Sequence, residues 1–198
     1  LNYIHIRQDA GRLTEKAADS QTHLVYLLSG ADALRLCPHG AILKKRLQAA
    51  RHVLKADSPF HTLLPNHIGT RVSLLVLDAA TSAFELLTRA RETLAAQRSV
   101  SAPETLALAS FGLVDTQAER GCEALIAAAL AADFVMPSFK SKREPATRLA
   151  AIHIHGHRAT HRYQRTLAEA RGNNLARWFT ALPPNELTPR RYREQLLK

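Results

Sequence analysis

Acidic residues are scarce and nowhere clustered: 17 Asp and Glu stand against 27 Lys and Arg in 198 residues. Paired-carboxylate and two-metal chemistry therefore have no obvious home in this chain. Cysteine is scarcer still. Cys37 and Cys122 are the only two, far apart in unrelated contexts. They are able in principle to pair, but two thiols give no disulfide framework, and a reduced, cytoplasmic setting is expected. No apolar run reaches the roughly 18 residues needed to span a bilayer. Residues Leu1 to Arg12 are strand-like and then polar, without the zones of a signal peptide. Only eight Gly and nine Pro occur, with no low-complexity tract, which excludes fibrous and disordered classes. Glycine-rich phosphate loops, G-x-S-x-G and H-E-x-x-H are all missing.

What is present alternates between short apolar runs and longer helical patterns. The runs His23–Leu28, Phe60–Pro65, Arg71–Asp78, Thr105–Gly112 and Thr147–Gly156 read as strands. Between Ile42 and Ala56 the residues Ile42, Leu43, Leu47, Ala50, Val53 and Leu54 form one apolar stripe, which is helical spacing. A second helix is expected to run through Ala96, capped by Asp78, Thr81 or Ser82. An Ala-rich third spans Thr116 to Ala132, opened by Asp115, and a long fourth covers His161 to Leu182. The order predicts an α/β fold: a three-layer sandwich with a mixed, mostly buried sheet flanked by helices, followed by a long linker helix. A boundary is expected within the charged stretch between Pro137 and Pro145.

Two groups of residues invite a chemical reading. His153, His155, His157 and His161 fall within nine positions, and three neutral imidazoles are able to hold zinc or copper. Alternatively Ile152 and Ile154 pack inward while the histidines cover a solvated or domain-facing side, since no Cys, Asp or Glu stands nearby to complete a set. Cys37 and His39 put a thiol beside an imidazole, but adjacency in sequence supplies neither a base in reach nor an oxyanion hole. A buried or loop thiol is the alternative.

The formal net charge of +10 is unevenly placed. Residues 140–198 carry 13 Lys or Arg against four Asp or Glu, whereas residues 1–139 carry 14 against 13. Arg158, Arg162, Arg165, Arg171 and Arg177 recur through the last long helix, and Arg190, Arg191 and Arg193 flank Tyr192. Such a surface suits an acidic partner, either nucleic acid or another protein domain. No helix-turn-helix or zinc-finger pattern accompanies it, so nothing reads bases.

The segment Asn173–Tyr192, NNLARWFTALPPNELTPRRY, has its own logic. Pro183 and Pro184 must end a helix, and Thr188 can cap a new one beginning at Pro189, with Asn185 bonding backbone in the turn. The pattern describes a rigid elbow between two helices. Through Asn174, Ala176, Arg177, Pro183, Pro184, Asn185, Thr188 and Pro189 the segment resembles the leucyl aminopeptidase (cytosol aminopeptidase) family. It departs from the family's usual Asn-Thr before the prolines by having Ala181-Leu182. A weaker match lies at Phe134 and Phe139-Lys140-Ser141.

The resemblance implies a division into residues 1–156, an N-terminal α/β domain, and 157–198, a linker helix, Pro-Pro-Asn elbow and start of a catalytic domain that this chain does not contain. In that family a C-terminal domain binds two divalent metal ions, zinc or manganese, and hydrolyses N-terminal residues from peptides. Its ligands lie beyond the elbow, so no catalytic, cofactor-binding or metal residue is carried over onto this chain. The family also implies homo-hexamers, with the N-terminal domain packed on its own catalytic domain. The expected role here is a non-catalytic domain of such a metallopeptidase; the alternative is a basic DNA-binding or regulatory module.

Overall fold

A computed structural model describes residues 4–137, 148–161 and 163–197. Six strands form one sheet: β1 (His5–Asp9), β2 (His23–Leu28), β3 (Phe60–Leu63), β4 (Arg71–Val76), β5 (Thr105–Phe111) and β6 (Ala151–His155). Their spatial order is β1-β6-β5-β2-β4-β3. All neighbours are parallel except β3, which runs antiparallel to β4. The helices are α1 (Glu15–Asp19), α2 (Gly40–Ala49), α3 (Ala83–Arg98), α4 (Asp115–Asp133), α5 (Gln164–Thr180) and α6 (Pro189–Leu196). A 3-10 turn occupies Ala31–Leu36. The expected three-layer α/β sandwich with a mixed, mostly buried sheet is the observed architecture.

Two cores lie on opposite faces of the sheet. Val25 and Leu27 of β2 join Leu106 and Leu108 of β5, with Leu94 of α3 and Leu125 of α4. On the other face Leu24, Tyr26 and Leu28 meet Leu34 and, from α2, Leu43 and Leu47. All six β2 side chains are buried, as a central parallel strand covered on both faces requires. Tyr26 meets Phe111 edge to face at 5.1 Å between ring centroids. Toward β1 the pattern changes: β6 buries Ile152 and Ile154 but leaves its alternate residues half-buried, and β1 exposes His5, Arg7 and Asp9.

The helix expected over Ile42–Ala56 is shorter. It stops at Ala49 because Arg51 takes a left-handed conformation, φ 52°. His52 N–H then bonds the Leu47 carbonyl and Arg51 N–H bonds that of Gln48, both at 3.0 Å. This is a Schellman termination with Arg where Gly is usual, so no sequence signal marked it. Val53, assigned to the apolar stripe, is largely exposed. Two further boundaries move. β6 spans only Ala151–His155, and α5 begins at Gln164, after a left-handed Tyr163, and ends at Thr180. Of the three candidate caps before α3, Ser82 is the one used, in a reciprocal box with Glu85. The Pro137–Pro145 stretch, including Phe139-Lys140-Ser141, lies largely outside the described residues.

Two glycines are dictated by space. A Cβ on Gly40 would sit 1.9 Å from the Leu34 carbonyl oxygen, so the 3-10 turn and α2 close on one another only without a side chain. At Gly156 φ is +77°, and a Cβ would lie 2.9 Å from the Ser110 carbonyl oxygen at the end of β5. Gly156→Ala therefore meets backbone strain and a backbone clash together. It is expected to lower unfolding free energy by about 1–3 kcal/mol, read as a reduced urea midpoint. An unchanged midpoint would show that the β6 exit relaxes freely.

Candidate functional site

The most specific sequence segment builds a junction where α5 crosses the end of α4. The last turn of α4 leaves carbonyls without helical partners, as every helix end does. Asn174 Nδ2 donates to the Leu130 carbonyl at 3.4 Å, and an Arg177 guanidinium nitrogen donates to the Ala131 carbonyl at 3.1 Å. The same guanidinium lies 4.8 Å from the centre of the Phe134 ring, in the segment just past α4. A cation over an aromatic face and beside a helix C-terminus is favoured on both counts. The residues of the two sequence signals, Asn174 and Arg177 on one side and Phe134 on the other, thus meet in space.

Beyond this clamp the helix ends at the prolines as expected. The Pro183 carbonyl accepts the Glu186 and Leu187 N–H groups, at 2.9 and 3.0 Å. Thr188 caps α6 by accepting from Arg191 N–H at 3.3 Å, with Pro189 in the first turn. Among the described residues the Asn185 side chain makes no hydrogen bond; the Pro183 carbonyl fills that role. α6 folds back through an aromatic series: Trp178 to Phe179 at 5.3 Å, then Phe179 to Tyr192 at 5.0 Å.

Along α5 lies an open groove of about 440 Å³. Leu167, Ala170, Arg171, Asn174, Leu175 and Trp178 line one wall, spaced as one stripe of the helix. Leu130, Asp133 and Phe134 stand opposite, with Ile4 and Arg148 nearby. Asp133 is buried, and its Oδ1 accepts Leu149 N–H at 2.8 Å and lies 3.8 Å from the Arg98 guanidinium.

The four histidines do not converge. His153 and His155 share one face of the sheet, in register with Arg7 and Asp9 of β1 and half-buried, while His161 is exposed. Burial pushes both of the former below the usual imidazole range; Arg7 adds to this at His153, and Asp9 opposes it at His155. His157 is buried, with Nδ1 3.6 Å from Asp115 Oδ1. Among the described residues, no three His, Cys, Asp or Glu side chains are arranged to hold a metal.

Cys37 is likewise buried and raised to about 12 by burial, with its thiol turned to the Ala33 carbonyl. The His39 imidazole turns instead to Asp19, at 3.0 Å. The tempting Cys-Pro-His-Gly run is a packing feature: Tyr26 donates to the Pro38 carbonyl at 3.3 Å, and Gly40 permits the close approach described above. Cys122, also raised to about 12 by burial, belongs to the core on the other face of the sheet, so the sheet separates the two thiols.

The arginines are partly spoken for. Arg165 pairs with Glu169 at 2.8 Å and Arg190 with Glu194 at 3.1 Å, each one helical turn apart; Arg191 pairs with Glu186. Arg162 lies outside the described residues, and no observation favours the nucleic-acid reading. No helix among the described residues is long and apolar enough to cross a membrane.

No protein-family model matches the sequence, and no curated protein matches it either. Solved structures do. A mutant of tomato leucine aminopeptidase superposes with a TM-score of 0.69 at 15% identity, over 98% of this chain and 41% of that one. Leucyl aminopeptidase from Leishmania major gives 0.58 at 18% identity, over 96% and 38%. The enzyme from Trypanosoma cruzi gives 0.56 at 14%, over 96% and 39%. At these identities the likeness is one of fold, and the chain spans less than half the length of each neighbour.

Two measurements follow from the junction and its surroundings. Arg177→Ala removes a charge-assisted bond and the contact with Phe134, and should cost about 1–2 kcal/mol in urea unfolding. Arg177→Lys should recover only part of that, because an ammonium lacks the planar fork. Equal stability of wild type and Arg177→Ala would remove the clamp.

Stability should also depend on pH. Burial lowers His23, His153 and His155 from the ordinary value of 6.5. These rings stay neutral in the fold while the unfolded chain takes up protons, so stability is full above about pH 7 and declines toward about pH 5.5. A flat urea midpoint across that window would contradict it.

Proposed function

We propose that this chain is a non-catalytic N-terminal domain of a leucyl-aminopeptidase-like metallopeptidase, with residues 157–198 forming the linker helix, the elbow and the start of the catalytic domain. The observation that carries this reading is the elbow itself. Asn174 and Arg177 clamp α5 onto α4, and Pro183 to Pro189 redirect the chain into α6. The resemblance of that segment to the family and the near-complete superposition on part of three leucyl aminopeptidases support the same conclusion from independent directions.

On this reading the domain's work is mechanical. It packs against its catalytic domain, shapes access to the site there, and contributes to contacts within a cytoplasmic homo-hexamer. The whole protein hydrolyses N-terminal residues from peptides, with two divalent ions, zinc or manganese, supplying Lewis-acid chemistry in the catalytic domain. No residue of this chain is assigned to those ions.

The deciding measurement is the mass of the intact protein in its own cells, detected with an antibody against this domain. A species more than twice the 21.9 kDa of this chain, hydrolysing leucine p-nitroanilide, is the expected result. The 198-residue chain supplied with zinc or manganese should show no turnover. A native species near 21.9 kDa would overturn the proposal.

A further inference from the structure

Strand β6 departs from the rule that the centre of the sheet obeys. It pairs in parallel with β1 on one side and β5 on the other, and parallel strands are normally covered by helices on both faces. One face is covered: Ile152 and Ile154 belong to the core under α3 and α4, with Ile4 and Ile6 packed against it. The opposite core, under α1, α2 and the 3-10 turn, takes in Ala107 and Ala109 of β5. Among the described residues it contains none from β6 or β1. The second helical layer therefore stops at β5.

The strip left uncovered has the size of one helix. Two strands about 4.8 Å apart span about 10 Å, the diameter of a helix. The five residues of β6 rise about 16 Å, the length of about 11 helical residues. Register sets what the strip presents. Arg7 lies opposite His153 and Asp9 opposite His155, with His5 and Ala151 in the row before. On the β5 side Ala107 and Ala109 stand beside the two imidazoles and add no charge. The Asp9 carboxylate accepts Gly11 N–H at 2.8 Å. The strip thus offers a guanidinium and three imidazoles, His5, His153 and His155. Charge on β1 guards an edge, but imidazoles on β6, one strand in, have no such use.

We propose that this strip is the docking surface for an acidic helix of a partner protein, which completes the second helical layer over β6 and β1. Carboxylates one turn apart on that helix meet Arg7 and His153 in one row and His155 in the next. A second copy of this chain does not suit the strip, because its net charge is +10 and its acids are nowhere clustered. The inference rests on the sheet and is independent of the aminopeptidase reading.

Docking of this kind takes up protons. In the free chain burial holds His153 and His155 below the ordinary imidazole range, with Arg7 adding to this at His153 and Asp9 opposing it at His155. A carboxylate laid on the rings favours the imidazolium, so affinity rises as pH falls from about 7.5 to about 6. Glutamate stays ionised throughout that window.

The probe is a fluorescein-labelled, stapled, alanine-based helix of about 14 residues with Glu at every fourth position. It is titrated with the 198-residue chain at low salt and followed by anisotropy. Saturable binding is expected at pH 6, at least about fivefold weaker at pH 7.5 and at least about tenfold weaker for the same helix carrying Gln in place of Glu. Arg7→Glu and His153→Glu should each weaken it at least about tenfold, while Arg190→Glu on α6 should leave it unchanged. If His153→Glu fails to fold, His5→Glu on the exposed edge takes its place.

Absence of saturable binding at pH 6 would overturn the proposal. So would equal affinity at the two pH values, or a loss caused by Arg190→Glu and not by Arg7→Glu. Tighter binding of a short oligothymidylate, removed by the same Arg7→Glu change, would also overturn it by making the strip a phosphate-binding surface. Each of these outcomes leaves the mass measurement of the preceding section untouched, so the two readings fail separately.

Discussion

Everything in this molecule is arranged around strands that cannot face water on either side. β2 buries six consecutive side chains, and β5 and β4 flank it with nearly as little exposure. A parallel strand of that kind is stable only between two layers of helix. Helices α3 and α4 supply one layer, and α2 with the 3-10 turn supplies the other. The crossover through α3 carries the chain from β4 past β2 to β5, and α4 then carries it on to β6. Each step moves away from the centre, so burial falls toward β1, where His5, Arg7 and Asp9 are exposed. Charged residues on an edge strand are a usual guard against pairing with another chain.

The same constraint explains where polar groups are allowed inside. Gln97 of α3 reaches the sheet and donates to the Leu24 carbonyl at 3.0 Å and to Ser73 Oγ at 2.8 Å. Ser73 in turn meets His61 Nδ1 at 2.8 Å. These bonds tie the end of α3 to β2, β4 and β3 at once. The buried amide uses its donors, while its Oε1 is left without a partner among the described residues, so the condition for polar burial is met on one side of the group only.

Much of this was legible in the sequence, and the failures have physical causes. The strands announced themselves because a buried parallel strand is a continuous apolar run, as in His23–Leu28. The helix through Ala96 was legible, but its cap was left open among Asp78, Thr81 and Ser82 until the box with Glu85 decided for Ser82. The end of α2 was not, because Arg51 adopts the left-handed conformation that sequence reasoning reserves for glycine. Helix α1 went unseen because five residues hold too little periodicity to register. At the junction, the prolines and Thr188 carried local signals that read correctly. The contact of Arg177 with Phe134 did not, since it joins residues 43 positions apart and depends on where α4 stops. The groove along α5 had no signal at all: an apolar stripe on a helix looks the same whether it meets a core or lines an open groove.

The junction is better understood as a strut than as a switch. A conformational switch needs an element with two discrete arrangements of similar energy. Here the arrangement is over-determined at each step. Arg177 and Asn174 hold α5 to the carbonyls of α4, and Pro183 and Pro184 remove backbone donors at the bend. The Pro183 carbonyl accepts two N–H groups, Thr188 caps α6, and Tyr192 packs on Phe179. The aromatic series runs without a break from the groove wall at Trp178 to Phe179 and on to Tyr192. What that series conveys is position: it sets the direction of α6 from the seat of α5 on the sheet domain, and anything that α6 leads into inherits that direction.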